Sequence, residues 1–121
     1  MKIAICAQDK NEDSLVDSRF GRAACFAIFD DQNKQWTFIE NAQNTQAAQG
    51  AGIQAAQFII DADAEVLLAR NTGPKAITAL QASQVKVFNV SADMTIRQAL
   101  DAYLDDKLEQ MDQANVEGHW V

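Results

Sequence analysis

The sequence predicts an α/β fold built on one mixed sheet, and three observations carry that reading. Short apolar runs without polar interruption, Ile3 to Ala7, Cys25 to Phe29 and Val66 to Ala69, have the length and continuity of strands buried on both faces. Longer stretches from Gln46, Pro74 and Thr95 onward carry apolar residues three and four apart, the spacing of a helix with one buried stripe. The order of these elements is βββαβαβα, in which helices cross over between parallel strands and pack on the sheet faces.

The first strand, Ile3 to Ala7, leads into a long polar segment that ends at Ala24. The second, Cys25 to Phe29, is joined through the turn-rich link Asp30-Asp31-Gln32-Asn33-Lys34 to a less continuous third strand, Trp36 to Ile39. Gln46 to Ala62 reads as an alanine-rich helix, with Ala48, Ala51, Ala55, Phe58, Ile59 and Ala62 on one face. Val66 to Ala69 is the fourth strand. Asn71-Thr72-Gly73-Pro74 then opens a helix with Ala76, Ile77 and Leu80 inward, and the only proline stands in the first turn, where proline is tolerated. Val85 to Val90 is interrupted by Lys86 and Asn89 and reads as an edge strand. The last helix, from about Thr95, places Ile96, Leu100, Tyr103, Leu104, Leu108 and Met111 along one stripe. Ranking the strands by apolar continuity gives a five-stranded sheet of order 3-2-1-4-5, the second strand antiparallel to the first, with helices on both faces.

A length of 121 residues fits one domain, which we assign to residues 1–111, with 112–121 as a loosely held tail of few apolar residues. Hydrophobic content of 48% with 22% charge is the balance of a globular chain, and no run approaches the roughly 20 apolar residues of a membrane span, so no membrane partner is expected. Met1 to Cys6 runs directly into a strand pattern without a signal-peptide profile, which points to the cytoplasm. Seventeen acidic against ten basic residues, a net charge of −7, oppose binding to phosphate backbones and argue against nucleic acid. Oligomeric state is not encoded in any of these features.

The predicted topology gathers the unusual features at one end of the sheet. The loop Gln8 to Arg22, the helix start at Gly50, Ala51 and Gly52, and the turn with Thr72 and Gly73 all emerge beyond the carboxyl ends of the parallel strands, where open α/β sheets bind ligands. Helix starts expose backbone N–H groups at the positive end of the helix dipole, which favours an anion. Half of the ten basic residues, Lys10, Arg19, Arg22, Arg70 and Lys75, fall at the same end, although Asp9, Glu12, Asp13 and Asp17 share the loop with them. Phe20-Gly21 reads as an aromatic anchor beside a flexible glycine. Cys6 and Cys25 read first as core residues, but antiparallel pairing brings both near the loop. Directly opposed residues have Cβ atoms about 5 Å apart, which would allow both thiols to meet a soft metal or cluster. His119, the sole histidine, is a further candidate to cap a ligand from the tail. No catalytic triad is available, and the central strands lack the carboxylates a metal-dependent nuclease would need.

Four segments in order resemble a known family: Met1-Lys2-Ile3-Ala4-Ile5, Asp17-Ser18-Arg19-Phe20-Gly21-Arg22-Ala23, Gly50-Ala51-Gly52-Ile53-Gln54-Ala55-Ala56, and Gly73-Pro74-Lys75-Ala76 followed by Leu80. The chain is similar over most of its length to the dinitrogenase iron-molybdenum cofactor biosynthesis proteins, which include NifX, the NafY core domain and the C-terminal region of many NifB proteins. The resemblance implies a ribonuclease H-like three-layer fold without nuclease activity. It also implies non-enzymatic binding, carrying or assembly of a metal-sulfur cluster containing iron, molybdenum or copper, with cluster donor and acceptor proteins as partners. The family often carries His-Phe-Gly in the loop, its histidine looking like a cluster ligand, where this chain has Arg19-Phe20-Gly21. Arginine stays protonated and does not ordinarily coordinate a metal, but its forked donors can hydrogen-bond an anionic cluster. The expected holders are therefore Arg19, Arg22 and the backbone of Gly50 to Gly52 and Thr72 to Gly73. The competing reading is a regulatory or interaction domain of the same fold that has lost metal binding.

Overall fold

Strand β1 (Lys2–Ala7) occupies the middle of the sheet, and its residues Ile3 to Ala7 are fully buried, as an uninterrupted apolar run requires. In the computed structural model, which describes residues 1–41, 51–91 and 93–111, it is followed by β2 (Cys25–Asp30), β3 (Gln35–Glu40), α1 (Ala51–Asp61) and β4 (Val66–Ala69). Then come α2 (Pro74–Ala82), β5 (Lys86–Asn89), α3 (Ile96–Leu104) and β6 (Glu109–Gln110). The sheet order is β3-β2-β1-β4-β5-β6. β2 runs antiparallel to both β1 and β3, whereas β1, β4 and β5 are mutually parallel.

The expected order of the first five strands is therefore present, but the sheet has six strands rather than five. The difference lies at the end of the chain. α3 stops at Leu104, and Asp106 takes a left-handed φ of 60°, which turns the backbone so that Glu109 and Gln110 pair antiparallel with Asn89 and Phe88. β5 is consequently an interior strand and not the edge its polar interruptions suggest. Leu108 and Met111 do not continue the helical stripe: Leu108 packs against the α3 side of the sheet, and Met111 against the other side. The expected helix from Gln46 is described from Ala51 onward, its first residues lying outside the described part.

Strand alternation splits the core in two. Ala4, Cys6, Phe26, Ile28, Leu67, Ala69 and Val87 face α1 and α2, whose Ala55, Ala56, Ile59, Ala76, Ile77 and Leu80 complete one cluster. Ile3, Ile5, Ala7, Cys25, Ala27, Phe29, Val66 and Leu68 face α3 through Ile96, Ala99 and Leu100. Small alanines on α1 and α2 let the helices approach the sheet closely, and each fully buried Ile or Leu contributes about 1.5–3 kcal/mol. α3 begins with a reciprocal cap: Thr95 Oγ1 accepts from Gln98 N–H at 3.1 Å, and Gln98 Oε1 accepts from Thr95 N–H at 2.9 Å.

Candidate functional site: an arch over the carboxyl end of the sheet

The segment between β1 and β2 first closes on itself. Ala7 and Val16 form an antiparallel bridge, Gln8 N–H donates to the Leu15 carbonyl at 3.1 Å, and Ser14 Oγ accepts from Asp9 N–H at 2.9 Å. A second bridge, Leu15 to Thr95, lays this excursion against the start of α3. Val16 N–H there donates to the Met94 carbonyl, and Ile96 N–H to the Ser14 carbonyl, both at 2.9 Å.

The second half, Asp17 to Ala24, forms an arch organised by a buried carboxylate. Asp17 accepts from Arg19 N–H at 3.1 Å through Oδ1 and from Ala24 N–H at 3.2 Å through Oδ2, while its own N–H donates to the Cys6 carbonyl at 2.9 Å. A charged acceptor on two backbone amides is among the stronger ways to shape a loop. Phe20 drops from the arch into the core, fully buried, with its ring 5.7 Å from that of Phe26. Asn41, also fully buried, donates through Nδ2 to the Gly21 and Ala23 carbonyls at 3.2 and 2.9 Å. On the other side Asn71, held at a left-handed φ of 53°, donates through Nδ2 to the Ser18 carbonyl. The arch is thus tied to the end of β3 and to the turn that opens α2.

That turn supplies the second wall. Gly73 is the N-cap of α2, in extended conformation and with no side-chain cap, and Pro74 follows at the first helical position. The dipole at this end is positive, and no side-chain oxygen caps it. Nearby acids are occupied elsewhere. Glu40 pairs with Lys10, Glu12 and Asp13 lie 3.7 and 3.5 Å from Arg97, and Asp17 is committed to the arch. Among the described residues Arg19, Arg70 and Lys75 take part in no ion pair. Arg19 is exposed, and Arg22 is half-buried and engaged within the chain.

The two cysteines are not brought together. The β1–β2 register sets Cys6 opposite Phe26 and Cys25 opposite Ala7, so the thiols stand on opposite faces of the sheet. Sequence reasoning placed both near the loop correctly, but a one-residue offset in register was invisible to it. Cys6 is fully buried beneath the arch, and burial, with smaller contributions from the Asp17 charge and Cys25, pushes its thiol well above the ordinary 9.0. Cys25 is likewise raised, chiefly by burial, and its Sγ lies 3.7 Å from the Ala7 carbonyl. Neutral thiols are poor metal ligands. Among the described residues no group of three or more His, Cys, Asp or Glu side chains is placed to hold a metal ion.

Of the expected site residues, Arg19, Phe20, Gly21 and Arg22 form the crown of the arch, and Gly21 rests directly on the backbone of Ala51 and Gly52 at the first turn of α1. Thr72 and Gly73 are buried behind the α2 start. Gly50 and His119 lie outside the described residues. Phe20 is therefore a core anchor and Gly21 a spacer, neither being a contact surface in itself. Asp17, Asn41 and Asn71 were missed as site residues. The Asp-Ser-Arg step, with an acceptor two residues before a loop amide, carried a readable signal, whereas the two asparagines act across long sequence separations.

No helix among the described residues is long and apolar enough to cross a membrane. A family model described as dinitrogenase iron-molybdenum cofactor matches residues 1–106. No curated protein matches the chain. Among solved structures, the apo form of the orange protein from Desulfovibrio gigas is 38% identical with a TM-score of 0.91, over 94% of this chain and 95% of that one. An NMR structure of a candidate NifB protein from Thermotoga, placed in the DUF35 family, is 34% identical with a TM-score of 0.78, over 90% and 91% of the two chains.

Proposed function

The chain belongs to the dinitrogenase iron-molybdenum cofactor family, and on that premise we propose that it binds and carries an anionic metal-sulfur cluster without catalysing a reaction. The cargo would be iron-molybdenum cofactor, a precursor or a related cluster of iron, molybdenum or copper, received from one protein and passed to another. The observation that carries this reading is the tie between Asn71 and Ser18, which sets the Arg19 arch beside the uncapped start of α2. An exposed arginine and the amides of a helix start form a combination suited to sulfide or oxo anions, and Arg19 and the start of α2 are the groups we assign to it. Holding would be electrostatic and through hydrogen bonds, because the neutral, separated thiols of Cys6 and Cys25 do not fit a shared ligand set. The fold would be the ribonuclease H-like scaffold without nuclease carboxylates, used in the cytoplasm.

The test is purification without oxygen, followed by measurement of iron, molybdenum, copper and sulfide and by a visible spectrum. Substoichiometric or full metal with sulfide and visible absorption is expected. A colourless, metal-free protein that also takes up no supplied metal and sulfide would refute the carrier reading. It would favour the second one, a regulatory or interaction domain, for which Arg19 at the usual histidine position is the specific support.

A further inference from the structure

Arg19 is exposed and its side chain forms no ion pair among the described residues, so its place in the arch is set by backbone contacts. The peptide that joins Ser18 to Arg19 is held at both of its polar groups. Its carbonyl accepts from Asn71 Nδ2, and its N–H donates to Asp17 Oδ1 at 3.1 Å. The peptide is trans, so the two groups point to opposite sides of the chain, and turning its plane would break both bonds. On the far side of Arg19, the Phe20 ring is fully buried against Phe26. The Cα of Arg19 thus stands between a clamped peptide and a core anchor. One half of the clamp is local, Asp17 lying two residues away, and the other reaches across 53 positions. Asn71 lies two residues before Gly73, the N-cap of α2, and holds a left-handed φ of 53°, which asparagine accepts more readily than most residues.

We infer that Asn71 is a positioning residue for the cargo: through the Ser18 carbonyl it fixes the backbone from which Arg19 reaches, without touching the cargo itself. The inference rests on the carrier function proposed above, although the clamp can be read with no cargo present. Without Asn71 Nδ2 the peptide keeps only its Asp17 bond and is free to turn about it. Arg19 would then have to be ordered at the moment of binding, which costs affinity. Glycine separates the two roles of position 71, since it takes a left-handed φ at no steric cost but carries no side-chain donor.

Asn71→Gly in the full chain is therefore the test, and cooperative urea unfolding should show that it folds. Without cargo, hydrogen exchange at the Arg19 amide and tryptic cleavage after Arg19 should both quicken severalfold, while cleavage after Arg97 on α3 keeps its rate. Asn71→Asp, which keeps the size but turns an acceptor on the Ser18 carbonyl, should quicken the same two readouts. With tetrathiomolybdate as the molybdenum–sulfur anion, Asn71→Gly should weaken binding about fivefold, as for one net hydrogen bond. Combined with Arg19→Ala it should weaken binding no further than Arg19→Ala alone, because Asn71 acts through that side chain. Unchanged exchange at the Arg19 amide, or an equal loss of binding with and without the Arg19 side chain, would overturn the inference while leaving the carrier reading intact. A wild type that binds no tetrathiomolybdate would instead count against the carrier reading, and the positioning role would fall with it even where exchange and cleavage bear out the clamp.

Discussion

Gly21 packs on Gly52 so closely that a β-carbon at position 21 would stand 2.9 Å from the Gly52 nitrogen and 3.1 Å from its Cα. The atoms in the way are backbone in the first turn of a helix, which cannot swing aside as a side chain would. Gly21→Ala should therefore destabilise the fold by about 1–3 kcal/mol, read as a lower urea midpoint at unchanged slope. A neutral substitution would mean that the arch lifts off α1 at little cost.

Asp17→Asn keeps the shape but replaces one acceptor oxygen with an NH₂ that faces an amide donor. A loss of about 1–3 kcal/mol is expected, together with weaker cluster retention, because the Arg19 backbone loses its anchor. Denaturation and metal analysis on the same preparation check both halves. Lost stability with full retention would separate the arch from the binding function.

Arg19 offers a test in two directions. Arg19→Ala should reduce cluster retention several-fold, and raising salt should reduce it further, as expected for an exposed cationic holder. Arg19→His places an imidazole where the family often carries one and should shift the visible spectrum of the loaded protein. An unaltered spectrum would show that this position does not reach the metal.

Both thiols are held neutral by the fold, so their folded pKa values lie above that of the unfolded chain. The sign follows from linkage: the stabilisation is complete below the ordinary thiol value of 9.0 and declines as pH rises past it. Native protein should react slowly with a thiol-specific reagent at neutral pH, and Cys6 should become available only on unfolding. Alkaline stability should fall less steeply in Cys6→Ala than in wild type. Rapid modification of Cys6 in native protein would contradict its burial.

Thr95 links helix capping to the site, since it closes the cap with Gln98 and bridges Leu15. Thr95→Ala should cost about 1 kcal/mol. Hydrogen exchange should quicken at Val16 and Ile96, whose amides bond across that junction. Faster exchange confined to α3 would show that the excursion is held by other contacts.

Much of this architecture was legible because burial on both faces leaves an unbroken apolar signature, which is why Ile3 to Ala7 and Val66 to Ala69 could be recognised without a partner. The end of the chain was not, because β6 is two exposed polar residues that pair only through backbone, and Asp106 adopts a left-handed turn with no glycine to announce it. At the candidate site, loop length, the glycine at helix starts and the cluster of cations all pointed to one end of the sheet, where the structure sets the arch beside the α2 turn. Register and latching were hidden. The Cys6 and Cys25 side chains are separated by alternation, and Asn41 and Asn71 reach the arch from residues far away in sequence.

The stitching of Gln8 to Ala24 to β3, to the α2 turn and to α3 has a consequence for timing. Ordering a free segment costs on the order of 1–2 kcal/mol per residue in lost backbone freedom, and a loose loop would pay that toll whenever a cargo arrived. Here the toll falls on folding, when Phe20 enters the core and Asp17 gathers its amides. A cargo would meet a seat already in shape, and because its release would regain none of that entropy, the preformed seat favours retention.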